Sequence, residues 1–203
     1  MDLNATSVSQ FVEDTFSKAP VPGGGGVAAV VGSLGAGLGG MVCNLTAGKK
    51  KYAEFEEDIQ RILPLLKALM ENLRHLAEQD ADNFAPLAAC YALPAGPEKD
   101  EKMQAALKVA IQAPIDIMKQ SYEAILLIDE LKEKSSSLVL SDVGCGVLCL
   151  SAALQMGWLN VKINLNSITD EAYCEALKKD LFPLLEKGPK LAANVYAFVE
   201  ENL

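Results

Sequence analysis

The sequence predicts an all-α protein, a bundle of long helices that contain several prolines. Apolar residues recur at helical spacing over most of the chain, and short loops separate these patterns. The one strand-like stretch, Asn160 to Leu165, has no candidate partner strand. The chain has 203 residues, of which half are hydrophobic, and this is enough for one real core. We therefore interpret residues 1–203 as a single helical domain.

The N-terminal half predicts three helices. A short amphipathic helix fits Val8 to Ser17, and the glycine run that follows breaks the chain. A second helix covers Val27 to Thr46, and a long third helix covers Glu54 to about Tyr91. Leu93 to Asp100 contains two prolines and a glycine, which predict a loop.

The C-terminal half predicts three further helical regions. The first runs from Lys102 to Lys134 and ends at a turn of three serines. A low-charge helix covers Ser141 to Trp158, followed by an extended connection from Asn160 to Leu165, and the last region covers Asp170 to Asn202. Prolines inside these patterns are expected to kink or interrupt their helices; they are Pro64, Pro86, Pro114, Pro183 and Pro189.

Residues 20–52 are the most unusual part of the chain, and they read PVPGGGGVAAVVGSLGAGLGGMVCNLTAGKKKY. Glycine costs about 1 kcal/mol relative to alanine inside a helix, so this density of glycine implies close approach to another helix or to a ligand. A homodimer interface is one way to achieve that approach. On this interpretation, leucine at Gly35 or Gly39 should split or unfold the dimer.

The same segment contains patterns of other protein classes. Gly35 to Gly40 matches G-x-G-x-x-G, but a dinucleotide-binding domain needs alternating strands that the rest of the chain does not offer. The uncharged stretch is long enough to span a bilayer, yet it is rich in alanine and glycine, which favours a buried central helix. A P-loop is excluded because Gly48-Lys49 is followed by lysine.

Composition narrows the partners and the compartment. The net charge of −9 makes nucleic acid and anionic membranes poor candidate partners. Met1 to Ser9 is polar and shows no signal pattern. The five cysteines lie in apolar sequence, which indicates reduced core thiols in a cytoplasmic protein. Neither metal-ligand spacing nor a convincing cofactor motif is visible, and the lone His75 is interpreted as a surface or interface residue.

Five short motifs occur in order along the chain: PVPGGGGVAA at 20–29, GKKKY at 48–52, DADNF at 80–84, SDVG at 141–144 and NVKINL at 160–165. Together they resemble the cyclodeaminase/cyclohydrolase family of folate one-carbon enzymes, which includes the C-terminal half of formiminotransferase-cyclodeaminase. The resemblance extends from Val8 to the C-terminal helix. It implies an all-helical homodimer that binds tetrahydrofolate and acts at its N5–N10 one-carbon bridge. One departure is Gly26, which stands where the family usually has serine; Ser33 is a possible substitute for the missing hydroxyl.

Both reactions of that family pass through a tetrahedral carbon between N5 and N10, and each needs a positioned proton acceptor and donor. Asp80 occupies the family's acidic motif position and is our candidate for proton transfer or for anchoring the pterin. The alternative is a solvated acid on a helix face, which is our interpretation of Asp82. Asp142 begins a low-charge helix, where it either caps the helix or contacts the ligand.

The remaining candidates are binding groups. Gly23, Gly24 and Gly25 can cradle the ligand with backbone N–H groups at a helix start, or form a simple tight connection. Lys50 is the candidate for stabilising developing charge. Lys49 and Lys51 are candidates for binding the folate carboxylates, and Asn44 for binding the pterin. A solvated helix end is the alternative interpretation of the three lysines.

These residues lead to one preferred function and two alternatives. The preferred function is formiminotetrahydrofolate cyclodeaminase, and the near alternative is methenyltetrahydrofolate cyclohydrolase, which would share the site. Neither reaction needs a cofactor or a metal. An alternative of another class is a helical folate-binding or scaffolding protein without catalysis, which the glycine at position 26 keeps open.

Overall fold

A computed structural model describes residues 5–203, and this range is helical with no β-strand. Seven α-helices follow one another within these described residues: α1 Val8–Phe16, α2 Gly24–Thr46, α3 Glu56–Tyr91, α4 Pro97–Ala110, α5 Gln112–Leu131, α6 Leu140–Leu165 and α7 Glu171–Asn202. Two short 3₁₀ segments, Lys50–Phe55 and Ser137–Val139, lead into α3 and α6. The predicted all-α class is confirmed.

Local signals set several helix ends. The Ser7 hydroxyl caps α1 by accepting a hydrogen bond from the N–H of Gln10 at 3.1 Å, and Asp170 caps α7 in the same way. Gly48 follows the end of α2 with a φ of +72°, a left-handed conformation that glycine adopts without strain. Its N–H donates to Glu56 at the start of α3, so this turn joins the two helices directly.

Three predicted boundaries are wrong. Helix α2 begins at Gly24, inside the glycine run that we expected to break the chain. The segment Asn160 to Leu165 is the last part of α6 and not an extended connection. It is helical because Val161 and Leu165, four residues apart, both face the core. Helix α4 starts at Pro97, because proline is well suited to the first position of a helix.

The prolines interrupt fewer helices than expected. Helix α3 continues through Pro64 and Pro86, and α7 continues through Pro183 and Pro189. The predicted helix from 102 to 134 is instead two helices, which meet at Ile111. Pro114 lies one turn later and has no N–H to donate to the carbonyl of Ala110, which explains a break at this point.

The centre of the bundle is an antiparallel pair, α2 and α6, which lies against α3, α5 and α7. Gly35 faces Gly146, Gly32 faces Ala153, and Gly24 faces Asn160, so residue numbers fall on one helix as they rise on the other. A Cβ atom at Gly35 would lie 2.8 Å from the carbonyl oxygen of Gly146. The small residues of α2 therefore allow two backbones of one chain to approach closely.

This packing corrects our reasoning for a dimer. Gly35 contacts α6, and Gly39 lies against Leu66 of α3 and Ile128 of α5. Both glycines are thus buried inside one chain, and leucine at either position would disrupt the bundle itself. The glycine density no longer argues for a homodimer, and the homodimer stays a prediction.

Gly35→Ala is expected to destabilise the folded chain by about 1–3 kcal/mol, because its Cβ would overlap the backbone of α6. Gly40→Ala on the same helix is the matched control. A Cβ at Gly40 meets nothing within 4 Å, so this variant should gain up to about 1 kcal/mol from helix propensity. Urea unfolding of both variants measures the difference. Equal stability of the two would contradict the close packing of α2 on α6.

Two regions, Gly24–Thr46 and Ser137–Leu165, are long and apolar enough to cross a membrane by length and composition alone. In the most apolar 18-residue window of each region, about half of the residues are buried inside the protein, 50% and 56% respectively. Because these segments are the central pair of the bundle, burial in the core accounts for their composition.

Candidate active site

A cavity of about 250 Å³ opens where the start of α2 meets the end of α6. Helix α3 forms a third side, and the α4–α5 junction forms the floor through Ala110 and Pro114. Pro20 and Val21, which precede the glycine run, complete the rim. The cavity lies above a hydrophobic cluster that includes Leu87, and this packed layer holds the surrounding helices in place.

Asp80 is the only acidic side chain that lines this cavity in the described chain. Its carboxylate is half-buried and accepts a hydrogen bond from the backbone N–H of Gly26, in the first turn of α2. Burial raises the pKa of Asp80 above its ordinary value, and the Gly26 hydrogen bond opposes that rise. A carboxyl group whose pKa lies above its ordinary value holds a proton more readily than a free aspartate, which favours a role in taking and returning a proton.

The glycine run allows Asp80 to lie against the helix start. A Cβ atom at Gly25 would lie within 2.5 Å of Cγ and Oδ2 of Asp80, so any larger residue would collide with the carboxylate. The first N–H groups of a helix have no intrahelical acceptor, and the positive end of the helix dipole favours a nearby negative charge. The start of α2 therefore both orients Asp80 and offers N–H donors to a ligand.

Two asparagines on α6, which the sequence interpretation did not assign to the site, face Asp80 across the cavity. The Asn160 amide lies against Gly24, where a Cβ atom would be 3.2 Å from Nδ2 and 3.3 Å from Oδ1. Asn164 lies one turn further along α6 and also lines the cavity. The spacing of four residues is the signal that could have revealed this pair, had the segment been interpreted as helical.

The other cavity walls are apolar and aromatic. Phe84, Leu87 and Tyr91 follow Asp80 on one face of α3, at intervals of four, three and four residues. Ile163 lies opposite them on α6. The cavity therefore combines a polar end at Asp80 with walls that suit a flat ring. The sequence interpretation also missed this stripe, although its helical spacing from Asp80 was visible.

Only part of the predicted site comes together. Gly23, Gly24, Gly25 and Asp80 all line the cavity. The other candidates lie near the opposite end of the α2–α6 pair: Asn44, Lys49, Lys50, Lys51 and Asp142. From Gly25 to Thr46 helix α2 rises by about 32 Å, at about 1.5 Å per residue. Within one chain, these five residues do not share a site with Asp80.

The lysine end of α2 has its own hydrogen bonds. Lys49 donates to the Ser136 hydroxyl at 3.3 Å, and the Ser137 N–H donates to the Tyr52 hydroxyl at 3.1 Å. This backbone hydrogen bond is the largest cause that lowers the pKa of Tyr52 to about 8. Lys51 lies 5.3 Å from the centre of the Tyr52 ring. The Asn44 amide donates to the carbonyl of Gly40 on its own helix.

Gly26, which stands where the family usually has serine, lies in the first turn of α2. A Cβ atom there would be 3.4 Å from Cβ of Pro22, an ordinary contact, so packing does not require glycine. Ser33 does not substitute for a hydroxyl at this position, because it lies two turns along α2 and donates to the carbonyl of Met70. The residue at the N-cap, Gly23, has no side chain to cap α2, and the Asp80 carboxylate of α3 accepts from the Gly26 N–H instead.

Among the described residues, no cysteine lines the cavity. Cys43, Cys90 and Cys174 are buried free thiols, as expected. Cys145 is exposed and Cys149 half-buried, so the expectation of five core thiols is wrong for this pair. Residues 5–203 contain no cluster of three or more metal-ligating side chains. His75 is exposed on α3, with Nδ1 3.4 Å from Glu78, which confirms its surface position.

The sequence model of the formiminotransferase-cyclodeaminase family matches residues 7–181, which is most of the chain and includes every residue that lines the cavity. The chain belongs to this family. The resemblance inferred from the five motifs is thereby confirmed.

Individual members of the formiminotransferase-cyclodeaminase family differ in their named activities. The chain is 35% identical to methenyltetrahydrofolate cyclohydrolase of Methylorubrum extorquens, over 97% of both chains. It is 28% identical to rat formimidoyltransferase-cyclodeaminase, over 96% of this chain and 37% of that protein. A crystal structure of formiminotetrahydrofolate cyclodeaminase from Thermotoga maritima superposes with a TM-score of 0.84 at 27% identity, over 100% of this chain and 98% of that chain.

Proposed function

We propose that this protein is a folate one-carbon enzyme that acts at the N5–C–N10 bridge of tetrahydrofolate, with Asp80 as its proton-transfer group. The observation that carries the proposal is the half-buried Asp80 carboxyl, held at the start of α2 inside a cavity of a cyclodeaminase-family fold. Proton transfer by a positioned carboxyl contributes roughly 10²–10⁴ to such reactions.

The charge of the cavity supports this class of substrate. Its polar side chains are one carboxylate, two amides and the Tyr91 hydroxyl, and among residues 5–203 no lysine, arginine or histidine lines it. The methenyl bridge carries a positive charge delocalised over N5, carbon and N10, and a protonated formimino group carries the same kind of charge. A single carboxylate in a cavity without cations suits such a bridge.

The size of the cavity indicates which part of the substrate it can enclose. A volume of about 250 Å³ is below the range of roughly 300–1,000 Å³ that encloses a drug-sized ligand. It suits the bicyclic pterin ring and the reacting bridge, with the aminobenzoyl-glutamate portion extending out of the opening. Phe84 and Tyr91 offer aromatic surface to the pterin.

The first candidate reaction is methenyltetrahydrofolate cyclohydrolysis, supported by 35% identity over the full length of both chains to the Methylorubrum enzyme of that name. Asp80 takes a proton from water as its oxygen attacks the bridge carbon. The same carboxyl returns that proton to N5 as the bond from carbon to N5 breaks. The hydroxyl of the intermediate loses its proton to solvent as the carbonyl forms, so the products are 10-formyl-tetrahydrofolate and one released proton.

The second candidate reaction is formiminotetrahydrofolate cyclodeamination, which our sequence interpretation preferred and which the Thermotoga structure supports. Here N10 attacks the carbon of the protonated formimino group on N5. Asp80 takes the proton from N10 and gives it to the departing nitrogen, which leaves as ammonia. The same carboxyl serves both reactions, because each needs one group that accepts and then donates a proton.

An assay of the purified protein with both substrates separates the candidates. Faster disappearance of the methenyl chromophore without ammonia would support the hydrolase, and ammonia release from the formimino substrate would support the deaminase. Spontaneous ring opening is measured in buffer without protein and subtracted. If neither substrate turned over while tetrahydrofolate still bound, the protein would be a non-catalytic folate-binding protein.

Lys50 and Lys51 are proposed to contact the glutamate tail of the substrate. They lie more than 30 Å from the cavity along α2, by the same helical rise of about 1.5 Å per residue, so only a long polyglutamate can reach them within one chain. The double variant Lys50→Ala/Lys51→Ala is expected to raise KM severalfold for polyglutamylated substrate and to leave KM for the monoglutamate unchanged. Added salt should reduce the difference, because exposed charges are screened over about 8–10 Å.

The control is Lys178→Ala/Lys179→Ala, which removes the same charge from α7. If the monoglutamate were affected equally, lysines of a second subunit would be near the cavity, and Asp142 would become a candidate there as well. Unchanged kinetics with both substrates would exclude the tail-binding role.

A homodimer is proposed on the basis of exposed apolar residues on α2. Leu34, Met41 and Leu45 are exposed along this helix, although its other side is buried in the core. Several exposed apolar side chains along one helix are typical of a surface that a second protein chain covers. Sedimentation at micromolar concentration tests this proposal, and a monomer would contradict it.

A further inference from the structure

We propose that Asn160 and Asn164 recognise the N–H groups of the pterin ring as hydrogen-bond acceptors, which leaves Asp80 free for proton transfer. In this arrangement Asn164 accepts from the 2-amino group and Asn160 accepts from a ring N–H. This inference rests on the proposed function, because it names the part of the substrate that the same cavity binds.

The hydrogen bonds of the two amides determine which atom each can offer to a ligand. Nδ2 of Asn160 donates to the carbonyl of Met156 at 2.9 Å, and Nδ2 of Asn164 donates to the carbonyl of Asn160 at 2.8 Å. A carbonyl oxygen only accepts, so the NH₂ group of each amide must face the helix backbone. Each Oδ1 is then directed away from that backbone bond, as an acceptor on a side chain that lines the cavity.

The acceptors form a row along the cavity. Asp80 lies against Gly25, Asn160 lies against Gly24, and Asn164 lies about 6 Å further along α6. Because α2 and α6 are antiparallel, moving from Asn160 to Asn164 along α6 leads beyond the start of α2, towards Pro20 at the rim of the cavity. The 2-amino group of a pterin lies at the end of the ring remote from N5 and the bridge. With the bridge at Asp80, that amino group faces Asn164.

The choice of amides has a physical reason. A second carboxylate near Asp80 would add a like charge, which raises the pKa of a carboxyl group further. Neutral amide oxygens accept from N–H groups without this effect. Two asparagines can therefore bind the ring while Asp80 remains the only carboxylate that lines the cavity among the described residues.

The test compares a 2-amino tetrahydropterin with its 2-deamino analogue, by binding to the wild-type protein and to Asn164→Ala. The wild type is expected to bind the 2-amino compound at least tenfold more tightly, since a lost hydrogen bond leaves a cavity acceptor unpaired. In Asn164→Ala this ratio should fall to about one. Asn160→Ala should weaken both compounds by a similar factor and so leave the ratio above one.

Kinetics provide a second measurement. With the full substrate, Asn164→Ala should raise KM about tenfold and keep kcat within about threefold, whereas Asp80→Asn should do the reverse. The control is Asn202→Ala, since Asn202 makes the same type of bond to the carbonyl of Phe198 but lies at the end of α7. Alanine is favoured over asparagine in helices, so these variants are expected to fold, and urea unfolding checks this.

The outcomes separate this inference from the proposed function. If the wild type turned over a folate substrate but kept the same binding ratio after Asn164→Ala, the asparagines would not read the ring and only this inference would fail. If the wild type neither bound nor converted tetrahydrofolates, the proposed function would fail as well.

Discussion

Replacing Asp80 with asparagine is expected to lower kcat by roughly 10²–10⁴ and to leave KM within a few-fold of the wild-type value. Asparagine keeps the size of the side chain and an oxygen that can accept from the Gly26 N–H. It removes the ability to take and return a proton. Steady-state kinetics with both candidate substrates measure the effect.

Asp82→Asn is the matched control, because Asp82 is exposed on the same helix two residues later. It removes the same charge and should leave kcat unchanged. If Asp80→Asn instead raised KM with kcat kept, Asp80 would anchor the pterin and not transfer protons. Wild-type kinetics for Asp80→Asn would remove this residue from the mechanism.

Asp80→Asn is also expected to change the stability of the folded protein. Burial raises the pKa of Asp80 in the folded protein above its unfolded value, so the folded state holds more protons between these two pKa values. The free energy of unfolding therefore falls as pH rises through this window. Asp80→Asn is expected to melt at or above the wild-type temperature at pH 7, and the difference should narrow as pH falls towards 3.8, the ordinary aspartate value.

Gly25→Ala is expected to lower kcat by about 10²-fold or more, although it removes no functional group. Its Cβ would lie within 2.5 Å of the Asp80 carboxyl carbon, so the carboxylate must move. A displacement of about 1 Å at a reacting group costs on the order of 10²-fold in rate. The double variant Gly25→Ala/Asp80→Asn should be no slower than Asp80→Asn alone, because both changes act through one carboxylate.

Gly37→Ala on the same helix is the control for this prediction. Its Cβ would lie 3.6 Å from the Met70 sulfur, an ordinary contact, and alanine should stabilise the helix by up to about 1 kcal/mol. Full activity is expected for this variant. If Gly25→Ala were as active as Gly37→Ala, the close contact between Asp80 and the start of α2 would not matter for catalysis.

The sequence by itself was sufficient for the fold class and for the family, and four of its nine candidate site residues line one cavity. Apolar spacing predicts helices because a helix buries one face, and this holds wherever the helix lies in the bundle. Asp80 was chosen because it occupies the acidic position of a family motif, and the three glycines because backbone N–H groups at a helix start can hold a ligand. Those features are local, so they are visible in a short stretch of chain.

Only the tertiary structure decided which residues meet. Lys50 and Asp142 looked like partners of Asp80, yet they lie near the far end of a helix pair that separates them from the cavity. Asn160 and Asn164 looked like part of a connection, yet the antiparallel register of α2 and α6 places Asn160 against Gly24. Helical spacing determines the face on which a side chain lies. The partner of that face depends on how whole helices pack, and here the small residues of α2 set that packing by allowing α6 to approach closely.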